Sequence, residues 1–128
     1  GYMLIDGGPG NTATYISHTQ AIPHNKLDIA LATALAGKFL GMQSIFLDAG
    51  SGAIHSVSDK MISKINEHVD LPLIVGGGIK TLEIAQTIYD AGADIVVIGN
   101  AAEKNPTLIT EFAGLTKSYT PIGLTKIK

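Results

Sequence analysis

The sequence predicts an α/β fold built on a parallel β-sheet, and two observations lead to this prediction. Four short apolar segments alternate with segments of helical periodicity along the 128 residues. None of the four alternates apolar with polar residues, which is typical of strands that are covered on both faces. Because strands that alternate with helices are joined by right-handed crossovers, we expect the order β-α-β-α-β-α-β-α.

The strands are recognised by their compact, partly β-branched apolar runs. They are expected at residues 2–5, 44–47, 73–75 and 95–98. The first connection, residues 6–25, contains neither kind of pattern, so we expect a long loop without secondary structure. Loops of that length are usually functional lids or disordered segments.

Three helices are predicted from apolar residues at helical spacing and from the residues at their ends. The first covers 26–40, with Asn25 as its cap and Gly41 as its stop. The second begins at Ser58, and the third begins near Thr81. Each of these helices fills one of the gaps between predicted strands, as the alternating order requires.

A fourth helix is expected to open at Asn105 and Pro106, because proline at the first helical position loses no hydrogen bond. Residues 118–128 lack periodicity and are expected to form a C-terminal tail. The apolar residues at helical spacing, which we expect to be buried, are Leu27, Ala30, Leu31, Ala34, Leu35, Met61, Ile62, Ile65, Val69, Leu82, Ala85, Ile88, Tyr89, Leu108, Ile109 and Phe112.

Composition and charge exclude several classes of protein. Hydrophobic residues make up 45% of the chain and charged residues 16%, which is too apolar for a disordered chain. The formal net charge of −2 provides no general attraction for nucleic acid or for an anionic membrane. The absence of cysteine excludes disulfides, thiolate metal sites and thiol nucleophiles. With no apolar run near the ~18 residues of a membrane span and no basic leader, we expect a cytoplasmic protein.

Glycine follows every predicted strand. Gly76, Gly77 and Gly78 follow the third strand, and Gly99 with Asn100 follows the fourth. The carboxyl ends of parallel strands lie at one edge, where glycine lets backbone N–H groups approach an anion closely. In (β/α)8 barrels the loops after the last two strands commonly bind phosphate. The sequence therefore predicts the last four β/α units of a (β/α)8 TIM barrel, a fold that needs about 250 residues in full.

A doubly wound open sheet is the alternative architecture. Its first strand would lead into a G-x-G-x-x-G turn that opens a helix. Residues 7–10 read Gly-Gly-Pro-Gly and are not followed by a helical pattern, which disfavours this alternative.

Three motifs in series resemble the geranylgeranylglyceryl phosphate synthase family, which includes the bacterial prenylglyceryl phosphate synthases. They are residues 46–52 (FLDAGSG), 75–79 (VGGGI) and 97–101 (VIGNA). The similarity extends over residues 2–112 and corresponds to the C-terminal half of a family member. It implies a modified TIM barrel that uses Mg²⁺ to join sn-glycerol 1-phosphate to a polyprenyl diphosphate through an ether bond. Residues 1–117 would then be the C-terminal half of a prenyltransferase domain.

The resemblance also implies the site. Asp48 would hold the glycerol hydroxyls, while Ser51 and Gly52 would lie near the phosphate. Because Asp48 lies at the carboxyl end of the second strand, we also expect it to orient or deprotonate a glycerol hydroxyl as the catalytic residue. The residues implied to bind substrate are Phe46, Leu47, Asp48, Ala49, Gly50, Ser51, Gly52, Gly76, Gly77, Gly78, Gly99 and Asn100. No metal ligand is expected in this chain, because the family's Mg²⁺-binding aspartate belongs to the N-terminal half. A homo-oligomer, and peripheral membrane contact through the lipid product, are further expectations.

The chain departs from the family pattern at three of its positions. Phe46 and Asp48 stand where the family usually has Tyr and Glu, which removes a hydroxyl donor and shortens the carboxylate arm. His24 replaces the arginine of a Pro-Ile-Pro-Arg segment, so that a permanent charge becomes dependent on pH. The glycerol contact would therefore be made differently from the family's usual contact.

Alternatives remain open for single residues and for the function. Asp48 and Asp6 are also suited to capping the turns after their strands. The four histidines lack the spacing of a metal site. His18 and His24 are expected in the long loop, either exposed to solvent or next to the substrate. His55 is expected at the surface, with contact to the substrate as its alternative, and His68 at a helix end where its charge suits the dipole. A sugar-phosphate isomerase or epimerase would need a second acid/base group opposite Asp48. A non-catalytic half-barrel that binds phosphate is the other alternative, because four units leave two exposed sheet edges.

Overall fold

The computed structural model describes residues 1–8, 15 and 18–119. The strands are β1 (Tyr2–Leu4), β2 (Ile45–Asp48), β3 (Leu73–Gly76) and β4 (Ile95–Val97). The helices are α1 (Leu27–Phe39), α2 (Asp59–His68), α3 (Leu82–Asp90), α4 (Asn100–Lys104) and α5 (Thr107–Thr116). The four strands form one parallel sheet in the order β1-β2-β3-β4, which confirms the predicted class and matches one half of a (β/α)8 barrel.

The strand boundaries differ from the predicted ones by a residue or two, and one difference matters for the site. The second strand extends to Asp48, which pairs with Leu4 on one side and Gly76 on the other. Backbone bonds continue the ladder at this point, since the amide of Ile5 donates to the Asp48 carbonyl at 2.9 Å. Asp48 therefore ends a strand on a rigid sheet rather than beginning a loop.

One face of the sheet carries the core. Alternate residues such as Met3, Leu47 and Val75 are buried beneath the helices, because side chains along a strand point to opposite faces in turn. The other face is open, with Tyr2 58% exposed and Val97 43% exposed. The prediction that the strands are covered on both faces is therefore wrong for this face, since the described helices pack on the opposite side.

The helix ends confirm most of the predicted signals. Ser58 caps α2 by accepting a hydrogen bond from the Met61 amide at 3.3 Å, and Thr81 caps α3 in the same way. Gly41 follows α1 with a φ of +83°, a left-handed conformation that favours glycine. Asn25 is not the cap of α1, because the helix begins one residue later, after Lys26, without a side-chain cap.

The C-terminal region contains two helices where one was predicted. A short helix, α4, begins directly at the turn after β4 and precedes α5. Pro106 is the N-cap of α5 rather than its first helical residue, and the Asn105 side chain accepts a bond from the Thr107 amide at 3.3 Å. Phe112 is buried as expected, whereas Ile109 is 58% exposed, so the predicted face was wrong at that position.

Residues 6–25 contain more regular structure than the prediction of an unstructured loop allowed. Ile22 forms an isolated parallel bridge with Ile5, and its amide donates to the Leu4 carbonyl at 2.8 Å. Tyr15 also has a helical backbone. The rest of this prediction, residues 9–14, 16 and 17, lies outside the described residues, as does the predicted tail beyond Tyr119.

Candidate functional site

The turns after β2, β3 and β4 surround one cavity at the carboxyl edge of the sheet. Its volume is about 200 Å³. The described residues that line it are Phe46, Asp48, Gly50, Ser51, Gly52, Ala53, Gly76, Gly77, Gly78, Ile79, Lys80, Val97, Gly99, Asn100 and Ala101. The structure therefore brings together, around a single space, residues from all three of the motifs in the sequence.

Two of the predicted residues, Leu47 and Ala49, do not line this cavity. Leu47 and Ala49 are fully buried in the core, on the face of β2 that packs against the helices. Phe46 lies on the open face of β2 and lines the cavity. Its ring lies against Gly76, where an added Cβ would be 3.0 Å from the ring edge. Gly76 therefore makes room for Phe46 as a wall of the site.

The turn after β3 packs directly against the backbone of the turn after β2. Gly77 has a φ of +85°, and a Cβ at this position would lie 2.6 Å from the Gly50 nitrogen. Gly78 has a φ of +70°, and a Cβ there would lie 2.7 Å from the carbonyl oxygen of His55. Only glycine satisfies both the backbone conformation and the contact. The two turns thus form one wall of backbone beside the cavity.

The turn after β4 is tied to the turn after β2 by a side-chain hydrogen bond. The Ser51 hydroxyl donates to the Asn100 side-chain oxygen at 3.0 Å. Asn100 is the first residue of α4, and the first N–H groups of a helix have no partner within the helix. A Cβ on Gly99 would meet no atom within 4 Å, so its backbone borders open space. These groups add polar atoms to the lining of the cavity.

Asp48 is held at both oxygens of its carboxylate. Oδ1 accepts a hydrogen bond from the Gly50 amide at 2.8 Å, which is the turn-capping role suggested as the alternative for this residue. Oδ2 accepts a hydrogen bond from the Tyr2 hydroxyl. The carboxylate nevertheless lines the cavity. Turn capping and exposure to a ligand are therefore compatible for Asp48, because each oxygen can accept more than one bond.

Tyr2 and Lys80 belong to the site and were missed by sequence reasoning. Tyr2 lies on β1, and its ring meets the Phe46 ring edge-on with centroids 5.3 Å apart. Burial and the hydrogen bond to Asp48 raise the pKa of the Tyr2 phenol to about 12. Lys80 follows the triple glycine, and its Nζ donates to the Ile54 carbonyl at 3.3 Å. The sequence signal that could have identified Lys80 is its position two residues after the triple glycine.

The remaining candidates do not converge on the cavity. The Asp6 carboxylate accepts a bond from the Gly8 amide at 2.9 Å, which is a turn role. His68 contacts the Lys64 carbonyl at 2.8 Å at the end of α2. Within residues 1–8, 15 and 18–119, no three His, Asp or Glu side chains are placed to hold a metal ion. The expectation that the Mg²⁺ ligands belong to the N-terminal half therefore stays a prediction.

A family comparison identifies the group to which this arrangement belongs. The model of the PcrB family matches residues 1–115. The chain belongs to the PcrB family. Among curated PcrB-type relatives, the geranylgeranylglyceryl phosphate synthase of Chitinophaga pinensis is 50% identical over 122 residues, which cover 95% of this chain and 48% of that protein. The enzyme of the same name from Thermococcus sibiricus is 45% identical, over 84% of this chain and 41% of that protein.

Solved structures of related proteins have the same fold. The (S)-3-O-geranylgeranylglyceryl phosphate synthase of Thermoplasma acidophilum, in complex with its substrate sn-glycerol 1-phosphate, superposes with a TM-score of 0.82 at 32% identity, covering 91% of this chain and 47% of that one. Wild-type GGGPS from Thermoplasma volcanium gives a TM-score of 0.83 at 35% identity, with 95% and 49% covered. This PcrB-family chain therefore spans about half the length of the curated relatives it matches.

None of the helices within residues 1–8, 15 and 18–119 combines the length and the apolar composition that crossing a membrane requires.

Proposed function

We propose that this chain provides the glycerol phosphate half-site of a prenyltransferase, which forms an ether bond between sn-glycerol 1-phosphate and a polyprenyl diphosphate. The observation that carries the proposal is the cavity in which Asp48 faces the glycine turns after β3 and β4. Membership of the PcrB family supports it, as does the related Thermoplasma acidophilum enzyme that holds sn-glycerol 1-phosphate. In this proposal residues 1–117 are the C-terminal half of the catalytic domain, and 118–128 are a tail.

The size of the cavity favours the glycerol phosphate over the prenyl substrate. Pockets for drug-sized ligands have volumes of roughly 300–1,000 Å³. A cavity of about 200 Å³ suits a smaller, polar molecule. We therefore propose that the phosphate binds beside Gly77, Gly99 and Asn100, and that the glycerol hydroxyls reach toward Asp48.

Charge at the cavity is consistent with this orientation. Among its described lining residues, Lys80 is the one cation and Asp48 the one anion. A phosphate at the glycine turns lies on the side of Lys80, while a hydroxyl that must lose its proton lies on the side of the carboxylate. The two charged groups thus define the two ends of a bound glycerol phosphate.

The reaction then follows from the position of Asp48. A glycerol hydroxyl oxygen attacks the first carbon of the prenyl chain, and a new C–O bond forms there. The bond from that carbon to the diphosphate breaks, and the diphosphate leaves with the electron pair. Asp48 orients the hydroxyl and accepts its proton as general base, a role that typically contributes about 10²–10⁴-fold to a rate.

The proposal assigns Mg²⁺ and the prenyl site to the other half of the domain. When bound, Mg²⁺ supplies positive charge that neutralises the diphosphate. Every step given above for this chain is carried by its own residues. The open face of the sheet and the outer edges of β1 and β4 are the surfaces that the other half would cover. Homo-oligomerisation, a cytoplasmic location and peripheral contact with the membrane complete the proposal.

The experiment that tests the function uses the complete gene product and labelled sn-glycerol 1-phosphate with a long-chain prenyl diphosphate. We expect ether product from the unaltered protein and a loss of about 10²–10⁴-fold in kcat for Asp48→Ala. A matched control is Asp90→Ala, which removes a carboxylate on α3 that does not line the cavity. Retention of full activity by Asp48→Ala would contradict the role of this residue.

The two alternatives give different results in the same assay. A non-catalytic phosphate-binding protein would show binding of sn-glycerol 1-phosphate by calorimetry without formation of product. A sugar-phosphate isomerase or epimerase would need a second acid/base group opposite Asp48. Lys80 is the other ionisable residue among the described lining residues, and in this proposal it neighbours the phosphate.

A further inference from the structure

We propose that Tyr2 is a positioning residue of this site, whose hydroxyl holds the Asp48 carboxylate so that it faces the glycerol hydroxyl. The inference rests on the proposed function, because Tyr2 would act on the reaction only through Asp48, the proposed general base. Tyr2 is separated from Asp48 by 46 positions in the sequence, and the parallel pairing of β1 with β2 brings them together.

The geometry leaves Asp48 restrained and still able to accept a bond. The Gly50 amide holds Oδ1 at 2.8 Å, and the Tyr2 hydroxyl holds Oδ2. A carboxylate has about four lone-pair sites on two oxygens, so two of them remain for a substrate hydroxyl. With one fixed partner on each oxygen, the plane of the carboxylate is defined. Without the Tyr2 hydroxyl, the Asp48 carboxylate would keep only the Gly50 amide as a partner and could rotate about its Cβ–Cγ bond.

The exposure of Tyr2 argues against a role in the core. The side chain is 58% exposed, whereas its neighbours Met3 and Leu4 are 4% and 7% exposed. Its ring has one aromatic contact on the open face, the edge-on contact with Phe46. Because phenylalanine would keep this contact, the hydroxyl is the part of the side chain that core packing does not explain.

The protonation of Tyr2 suits this role. Burial, followed by the hydrogen bond and the negative charge of Asp48, raises the pKa of the phenol to about 12. Below that pH the group stays protonated and donates to Oδ2. Tyr2 is therefore a constant donor across the pH range in which enzyme assays are run, and we do not expect it to be the group that takes the substrate proton.

A double-mutant cycle in the complete gene product tests the inference. We expect Tyr2→Phe to lower kcat about tenfold and to change KM for sn-glycerol 1-phosphate less than about threefold, because the phosphate contacts are untouched. In an Asp48→Ala background, the same replacement should change kcat less than about twofold, since a positioning residue has nothing left to position. A tenfold loss that persists in this background would overturn the inference and indicate direct contact with substrate.

A second pair of variants keeps the test decisive if Asp48→Ala makes no measurable product. Tyr2→Phe removes the hydroxyl, and Tyr2→Leu removes the ring as well. Equal losses of kcat in both variants support positioning by the hydroxyl, whereas a loss confined to Tyr2→Leu overturns it. If the unaltered protein makes no ether product, both the proposed function and the inference that rests on it are wrong. If it does, and Tyr2→Phe is fully active, only the inference fails.

Discussion

Replacement of Gly77 by alanine tests the backbone wall on which the proposed phosphate site depends. The residue has a φ of +85°, and a left-handed backbone costs a residue other than glycine roughly 1–2 kcal/mol. The new Cβ would also lie 2.6 Å from the Gly50 nitrogen and 2.8 Å from the Ala49 nitrogen, closer than non-bonded atoms approach. Overpacking of this kind costs typically about 1–3 kcal/mol. The conformational strain and the overpacking together would cost roughly 2–5 kcal/mol. The protein could relieve part of this strain by moving the two turns apart.

A matched control separates the backbone conformation from the contact. Gly41 has a nearly identical φ of +83°, but a Cβ there would meet no atom within 4 Å, and the residue does not line the cavity. We therefore expect Gly41→Ala to lower the free energy of unfolding by about 1–2 kcal/mol and to leave ligand affinity unchanged. Gly77→Ala should lower it by about 2–5 kcal/mol.

The assay combines urea unfolding with calorimetric titration of sn-glycerol 1-phosphate, both on the complete gene product. Separation of the turns should weaken binding in Gly77→Ala at least about tenfold, which corresponds to about 1.4 kcal/mol. The reasoning is refuted if Gly77→Ala is as stable as Gly41→Ala and binds the ligand with unaltered affinity. That result would mean that the turn after β3 does not form the anion-binding wall.

Two further predictions concern charge and pH. Lys80→Gln should weaken binding of sn-glycerol 1-phosphate about three- to tenfold and reduce its dependence on salt, measured by calorimetry at two ionic strengths; unchanged affinity would contradict the placement of the phosphate. The hydroxyl of Tyr119 donates to Asp90 at 2.7 Å, and this bond raises the phenol's pKa to about 12. Since the unfolded chain loses this proton near pH 10, the stabilisation is present below pH 10 and is lost as pH rises to 12. Between pH 10 and 12, the free energy of unfolding measured with urea should fall less steeply with pH for Tyr119→Phe than for the unaltered protein. An equally steep fall in both proteins would contradict the role given to the Tyr119–Asp90 hydrogen bond.

Much of the fold could be predicted because the relevant signals are local. Ser58 and Thr81 cap their helices by bonding to amides three residues later, and such signals need no knowledge of the tertiary structure. The short helix α4 was missed because it is five residues long and begins within the Gly-Asn turn that was read only as a phosphate signal. The exposure of Ile109 was missed because periodicity predicts a face, while packing of α5 around Phe112 decides which part of that face is covered.

Part of the candidate site could likewise be predicted from local signals, and part of it could not. The clustering of glycine turns could be foreseen, because the carboxyl ends of parallel strands lie at one edge whatever the details of the sheet. Which side chains enter the cavity could not be foreseen. Leu47 and Ala49 lie within the motif but face the core, because alternation along β2 gives the open face to Phe46 and Asp48.

By itself, the sequence determined the class of the fold, the order of its elements and the edge at which the glycine turns gather. These properties follow from periodicity, from helix caps and from the conformational freedom of glycine, all of which act within a few residues. Only the tertiary structure decided that Tyr2 holds Asp48 and that Ser51 reaches Asn100. Those contacts join residues 46 and 49 positions apart, and their existence depends on strand register and turn packing, which no local pattern specifies.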